Sequence, residues 1–120
     1  MESTTVFAAT IESQTQSHLI GEFVGNADGP TLIAVGSIHG NEPSGRVALE
    51  RVERRVELLR ENLRGRVYLL AGNVRAFVRS ARFIDTDLNR HWTRGNIRRN
   101  TRLSSKALAE DSEQNELLTI

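Results

Sequence analysis

Cysteine is absent from the 120 residues. That excludes a disulfide framework and any thiolate metal site, so a metal would have to take His, Asp or Glu. Long hydrophobic runs are absent as well. The longest, at residues 31–35 and 67–71, are far too short to cross a bilayer. The first ten residues lack a basic start and carry only a brief apolar stretch, so no signal peptide is read there. Together these absences point to a cytoplasmic protein with no membrane partner. Aromatics are few, at 5%, and net charge is only +1, which argues against nucleic acid as the partner. No internal repeat or low-complexity linker is present.

What is there is an ordinary apolar content for one modest core. Charge is unevenly placed. Arginines crowd residues 75–102, opposed there only by Asp85 and Asp87, and an acidic stretch follows with Glu110, Asp111, Glu113 and Glu116. An arginine cluster implies an anionic partner such as a small carboxylate or phosphate.

Residues 5–11 and 18–24 read as short strands of an opening hairpin, followed by the turn Asn26-Ala27-Asp28-Gly29-Pro30. Residues 31–36 form a continuous apolar run that suits a buried central strand. Pro43 marks a helix start, and Ala48, Val52, Val56, Leu59 and Leu63 recur as one apolar stripe, with Glu50 and Arg54 paired on the wet side. Gly65 reads as the helix terminator, residues 66–71 as a second buried strand, Asn73 as a cap and residues 74–80 as a short helix. Residues 90–106 are polar and read as a loop. A last helix is expected from about Ser112 to Ile120, where the chain stops on apolar residues as if truncated. Strand–helix–strand order predicts an α/β fold with a parallel or mixed sheet, and such sheets place their sites at the carboxyl ends of strands.

Two constellations follow expected strands. In the first, His39-Gly40-Asn41-Glu42, an imidazole and a carboxylate three residues apart point the same way and are both good zinc ligands. Gly40 would let the backbone turn sharply beneath them. The pattern is not His-Glu-x-x-His, because Pro43 stands where the second histidine would be, so Glu42 is read as a ligand and not as the base. A catalytic zinc normally takes three protein ligands. His18, in an expected strand, reads as packed; His91, beside Trp92, is a candidate third ligand. The second constellation is Arg82-Phe83-Ile84-Asp85-Thr86-Asp87-Leu88-Asn89-Arg90. Arg82, Asn89 and Arg90 could clamp an anionic substrate or a developing oxyanion. Asp85 and Asp87 could ligate metal or orient His39, or else pair with the arginines as a surface ladder.

Gly36-Ser37-Ile38-His39-Gly40-Asn41-Glu42-Pro43-Ser44-Gly45, then Gly72-Asn73-Val74-Arg75-Ala76, then Arg82 to Arg90 in order, resemble the succinylglutamate desuccinylase/aspartoacylase family of zinc carboxypeptidase-like hydrolases. The resemblance covers roughly residues 30–92. It implies a mixed, largely parallel sheet flanked by helices, incomplete in this chain, and zinc-dependent hydrolysis of the amide bond of an N-acyl amino acid or related small carboxylate. It implies His39 and Glu42 as zinc ligands, Arg82 as the catalytic arginine that stabilises the oxyanion, and Asn89 and Arg90 as the pair that binds the substrate carboxylate. It implies Asp87 as the acceptor of the remaining ring N–H of His39. Two departures stand out. The family's third ligand, a histidine in an Asp-x-His-Thr-like strand, and its glutamate base have no counterpart before Ile120. Residues 1–120 are therefore expected to be the N-terminal part of one zinc hydrolase catalytic domain, with little activity by itself. The competing readings are a zinc carboxypeptidase acting on peptides, in which Asn89 and Arg90 hold a peptide C-terminus, and a non-catalytic anion- or nucleic-acid-binding module.

Overall fold

The computed structural model describes residues 18–102 and 108–120. The strand expected over residues 5–11 lies outside them. The element order is β1 (Leu19–Val24), β2 (Ala27–Gly36), α1 (Ser44–Leu58), a 3-10 turn at Arg60–Asn62 and β3 (Arg64–Ala71). Then come α2 (Val74–Val78), a second 3-10 turn at Leu88–Arg90, α3 (Arg94–Arg102) and α4 (Ala109–Thr119). The fold is α/β, with a mixed sheet flanked by helices.

β3 is the central strand. It pairs antiparallel with β1 and parallel with β2. Successive side chains of a strand point to opposite faces, and β3 fills both. Val67 and Leu69 join Phe23 in one core, closed by Ala34, Leu49, Val56 and Leu63. Tyr68 and Leu70 turn to the other side, where Leu70 packs with Leu88 and Leu117 beside Ile38. A strand buried on both faces needs a continuous apolar run, and Val67-Tyr68-Leu69-Leu70-Ala71 supplies it.

Several expectations are corrected. Among the described residues, 31–36 do not form the central strand of the sheet. β2 lies at an edge of the described sheet, with Leu32 59% and Ile33 61% exposed. An apolar run marks a strand that can be covered on both faces; it does not say which neighbours cover it. β2 also begins at Ala27, so the expected turn at 26–30 is largely strand, with irregular pairing between Ala27 and Thr31. The inward stripe of α1 is borne out at Val56 and Leu63 and displaced to Leu49 at its start, while Leu59 is exposed. Ala48 and Val52 are exposed, whereas Gly45, Leu49, Glu53 and Val56 are partly covered and Leu49 and Val56 pack on the core. Arg46 pairs with Glu50 at 3.5 Å on this helix, not Glu50 with Arg54. Gly65 is not a helix cap. It sits in β3 at φ +81°, and a Cβ there would collide with the Pro30 carbonyl.

Residues 94–102, expected as loop, are helical. Thr93 Oγ1 accepts from the Asn96 N–H at 3.1 Å and starts the helix. Asn100, fully buried, donates to the Asp111 carbonyl at 2.7 Å and to Gln114 at 3.1 Å, which fastens α3 to α4. The helix is docked by amide hydrogen bonds, so it carries little of the apolar periodicity that marks a helix in sequence. α4 starts at Ala109, three residues before the expected Ser112.

Candidate metal and anion site

The carboxyl ends of β2 and β3 lie side by side, with Gly36 opposite Ala71. Past them the Gly72 N–H donates to the Gly36 carbonyl at 2.8 Å, and the Asn73 N–H to the Ser37 carbonyl at 3.1 Å. Ser37 takes the left-handed conformation, φ 56°. Its Oγ donates to the Glu42 carbonyl at 2.8 Å and accepts from the Arg46 N–H at 3.1 Å. These bonds close residues 37–42 into a turn that carries His39 and Glu42. Gly40 serves this turn through close approach. A Cβ would strike Ala76, Phe77 and Ala81 backbone atoms, and the Gly40 N–H donates to the Arg82 carbonyl at 3.1 Å. The first constellation is thus pressed against the start of the second.

His39 is 8% exposed. Its Nε2 lies 3.0 Å from Asp87 Oδ1 and its Nδ1 3.3 Å from Glu42 Oε2. An ionised carboxylate only accepts, so the shorter contact is read as Nε2–H donating to Asp87, while Nδ1 faces Glu42 across 3.3 Å. Arg82 Nη2 stands 3.7 Å from Asp87 Oδ2 and its Nη1 4.0 Å from Glu42 Oε1. Arg90 Nε is 4.0 Å from Asp87 Oδ2 and its side chain is well exposed. Asn89 joins through its backbone N–H, which donates to Asp87 Oδ1 at 2.9 Å. Asp87 is therefore the hub. Burial works to raise its pKa, but the His39 hydrogen bond, the Asn89 N–H and the charge of Arg82 hold it below the ordinary range.

The structure therefore brings together His39, Glu42, Arg82, Asp87 and Arg90, forty-odd residues apart in sequence. It separates two others. Asp85 turns away to accept from the Ala109 N–H at 2.7 Å. His91 is buried with Nε2 2.8 Å from Asp111.

The largest surprise is α4. Its carboxylates at 110, 113 and 116 recur at three-residue steps and so share one face. Glu110 and Glu113 on that face are buried and Glu116 partly so. Glu113 accepts from the Val74 and Arg75 N–H groups at 3.2 and 2.8 Å, at the start of α2, and from the Arg75 side chain at 3.0 Å. Glu116 accepts from Arg75 Nη2 at 2.7 Å. His18 Nε2 lies 2.9 Å from Glu113 and 2.7 Å from Glu116, while Nδ1 meets the Ala71 carbonyl at 2.8 Å. Burial works to lower the His18 pKa, but hydrogen bonds to Glu113 and Glu116 raise it to about 9. His18, Glu113 and Glu116 are of metal-binding type and lie close enough to share an ion. Here the two carboxylates are already matched by two cations, His18 and Arg75. The acidic spacing was the signal in the sequence; what it would meet was not.

The fold and the cluster define an α/β protein with its ionisable groups gathered at the carboxyl ends of two parallel strands. The model of the succinylglutamate desuccinylase/aspartoacylase catalytic domain matches residues 28–118, and the chain belongs to that family. The family is hydrolytic, of deacylase type, and typically metal-dependent. No curated protein and no solved structure matches the chain.

Proposed function

We propose that the protein is a zinc-dependent deacylase that hydrolyses the amide bond of an N-acyl amino acid or a related small carboxylate, with His39 and Glu42 as metal ligands. The observation that carries this reading is that His39 Nδ1 and Glu42 Oε2, atoms of two metal-binding groups, stand 3.3 Å apart. Two ligand atoms each about 2.1 Å from a tetrahedral zinc stand about 3.4 Å apart. The donor types fit zinc, and Asp87 holds the other ring nitrogen in the manner of a carboxylate–histidine–metal triad. A third ligand and a general base are not among the described residues of this cluster. The 120-residue chain is accordingly expected to turn over little substrate by itself.

Bound zinc would act as a Lewis acid and make hydroxide available near neutral pH. Arg82, half exposed beside Glu42, would donate to the oxygen on which negative charge develops. Arg90 and Asn89 stand at the exposed rim, where a planar guanidinium and an amide take a free carboxylate and orient the amide. Asp87 keeps the guanidinium groups of Arg82 and Arg90 near the site and fixes the His39 tautomer.

Zinc titration against a competing chelator tests the ligands. His39→Ala is expected to weaken zinc at least tenfold, and equal affinity in the variant overturns the reading. In the enzyme completed by a third ligand and a base, Arg82→Gln is expected to lower kcat by about a hundredfold or more. Comparing an N-acyl amino acid with a short peptide in that enzyme separates the deacylase from a carboxypeptidase.

A further inference from the structure

Glu110 lies on α4 and is fully buried. A buried carboxylate persists when its lone pairs are engaged. Oε1 accepts from the Asp85 N–H at 2.7 Å and the Thr86 N–H at 2.9 Å. Oε2 accepts from the Ile84 N–H at 3.0 Å and from Asn73 Nδ2 at 2.8 Å. Asp85 returns the contact by accepting from the Ala109 N–H, at the start of α4. The three consecutive N–H groups belong to the irregular segment between Arg82 and Asp87. No sheet ladder or helix holds that segment, so its backbone donors go to one carboxylate. One peptide further on, Asp87 receives the ring N–H of His39.

We propose that Glu110 is a positioning residue of the metal site: its carboxylate cradles the backbone of residues 84–86 and thereby sets Asp87 against His39, with Nδ1 turned toward Glu42. This rests on the reading of His39 and Glu42 as metal ligands. A carboxylate is required, and not an amide of the same shape. Both oxygens face donors, and the Asn73 amide cannot turn over, because its Oδ1 accepts from the Ala76 N–H at 3.2 Å. A glutamine would direct its own NH2 at N–H groups in either orientation.

The test is zinc affinity of Glu110→Gln in the 120-residue chain, by chelator competition. The expected result is a loss of about tenfold, the low end of what removal of a ligand's supporting partner costs. Asp87→Ala should lose ten- to a hundredfold. The double variant should bind no worse than Asp87→Ala alone, because Glu110 acts through Asp87. Wild-type affinity in Glu110→Gln, or losses that multiply in the double variant, overturn the proposal. If Glu110→Gln does not fold, Glu110→Asp, which withdraws the charge by one methylene, is read the same way. If the wild type binds no zinc, the metal reading fails. The positioning is then read in the metal-free protein from the His39 Nε2 proton by NMR. That signal should persist in the wild type and vanish in the Glu110 variant, and its persistence in the variant overturns the proposal.

Discussion

At the scale of the residue, the site depends on one side chain that is missing. Gly40 lets the turn of His39 lie against the backbone of Ala76, Phe77 and Ala81. Rigid backbone cannot yield to a Cβ as a flexible side chain can. Gly40→Ala is therefore expected to cost about 1–3 kcal/mol and to weaken zinc along with stability. Urea unfolding gives the first and chelator competition the second; unchanged values for both would contradict the close approach. The residue type was readable in the sequence, but the reason was not. A sharp turn seemed the purpose, yet Gly40 does not take a positive φ. Its neighbours come from a segment more than thirty residues away.

At the scale of the element, helices that look alike in sequence are held by different forces. α1 docks through Leu49 and Val56 on the sheet. α2 is only five residues long and depends on its first turn. Asn73 caps it through the Ala76 N–H, and Glu113 of α4 takes the Val74 and Arg75 N–H groups. Asn73→Ala removes the cap and one donor to Glu110. It should cost about 1–2 kcal/mol, read as a lower urea midpoint, and no shift would show the cap to be redundant. α3 docks through the buried Asn100, and α4 through Gln114 and the acidic side chains together with Leu117 on the core. Reading apolar periodicity therefore found α1, slightly misphased, and missed α3. The acidic stretch could be seen in the sequence, but not its role, because a carboxylate's partners do not lie beside it in the chain.

At the scale of the whole molecule, α4 ties the start of β1, the end of β3 and the segment of Asp87 into one charged network. Its stability should therefore have two pH limits. Burial works to raise the pKa of Glu116, but His18 and Arg75 lower it from 4.5 to about 2. Glu110 and Asp111 are also lowered, against burial, by Asn73 with backbone N–H groups and by His91 with the Leu108 N–H. Groups with a lowered folded pKa stabilise above the unfolded value and lose that contribution as pH falls through the folded one. His18, raised from 6.5 to about 9, stabilises below the unfolded value and loses its contribution as pH rises through the folded one. The metal-free chain should be most stable between about pH 4.5 and 6.5, weaken toward pH 2, and weaken again from 6.5 to 9. Urea midpoints at pH 3, 5.5 and 9 check this, and His18→Gln should lose the alkaline decline. A decline retained in that variant would place its origin elsewhere.

By itself the sequence determined the α/β class, β3 as a strand covered on both faces, the Asn73 cap and the identity of the clustered residues. These rest on local chemistry: an apolar run, a cap beside a helix start, donors and acceptors three residues apart. Only the three-dimensional arrangement shows that β2 lies at an edge of the sheet formed by the described residues, that His39 meets Asp87, and that Asp85 turns from the site to α4. Only it showed Glu110 bound to three backbone N–H groups. Each of these is a pairing between distant segments, and burial makes such a pairing strong by removing water as the alternative partner.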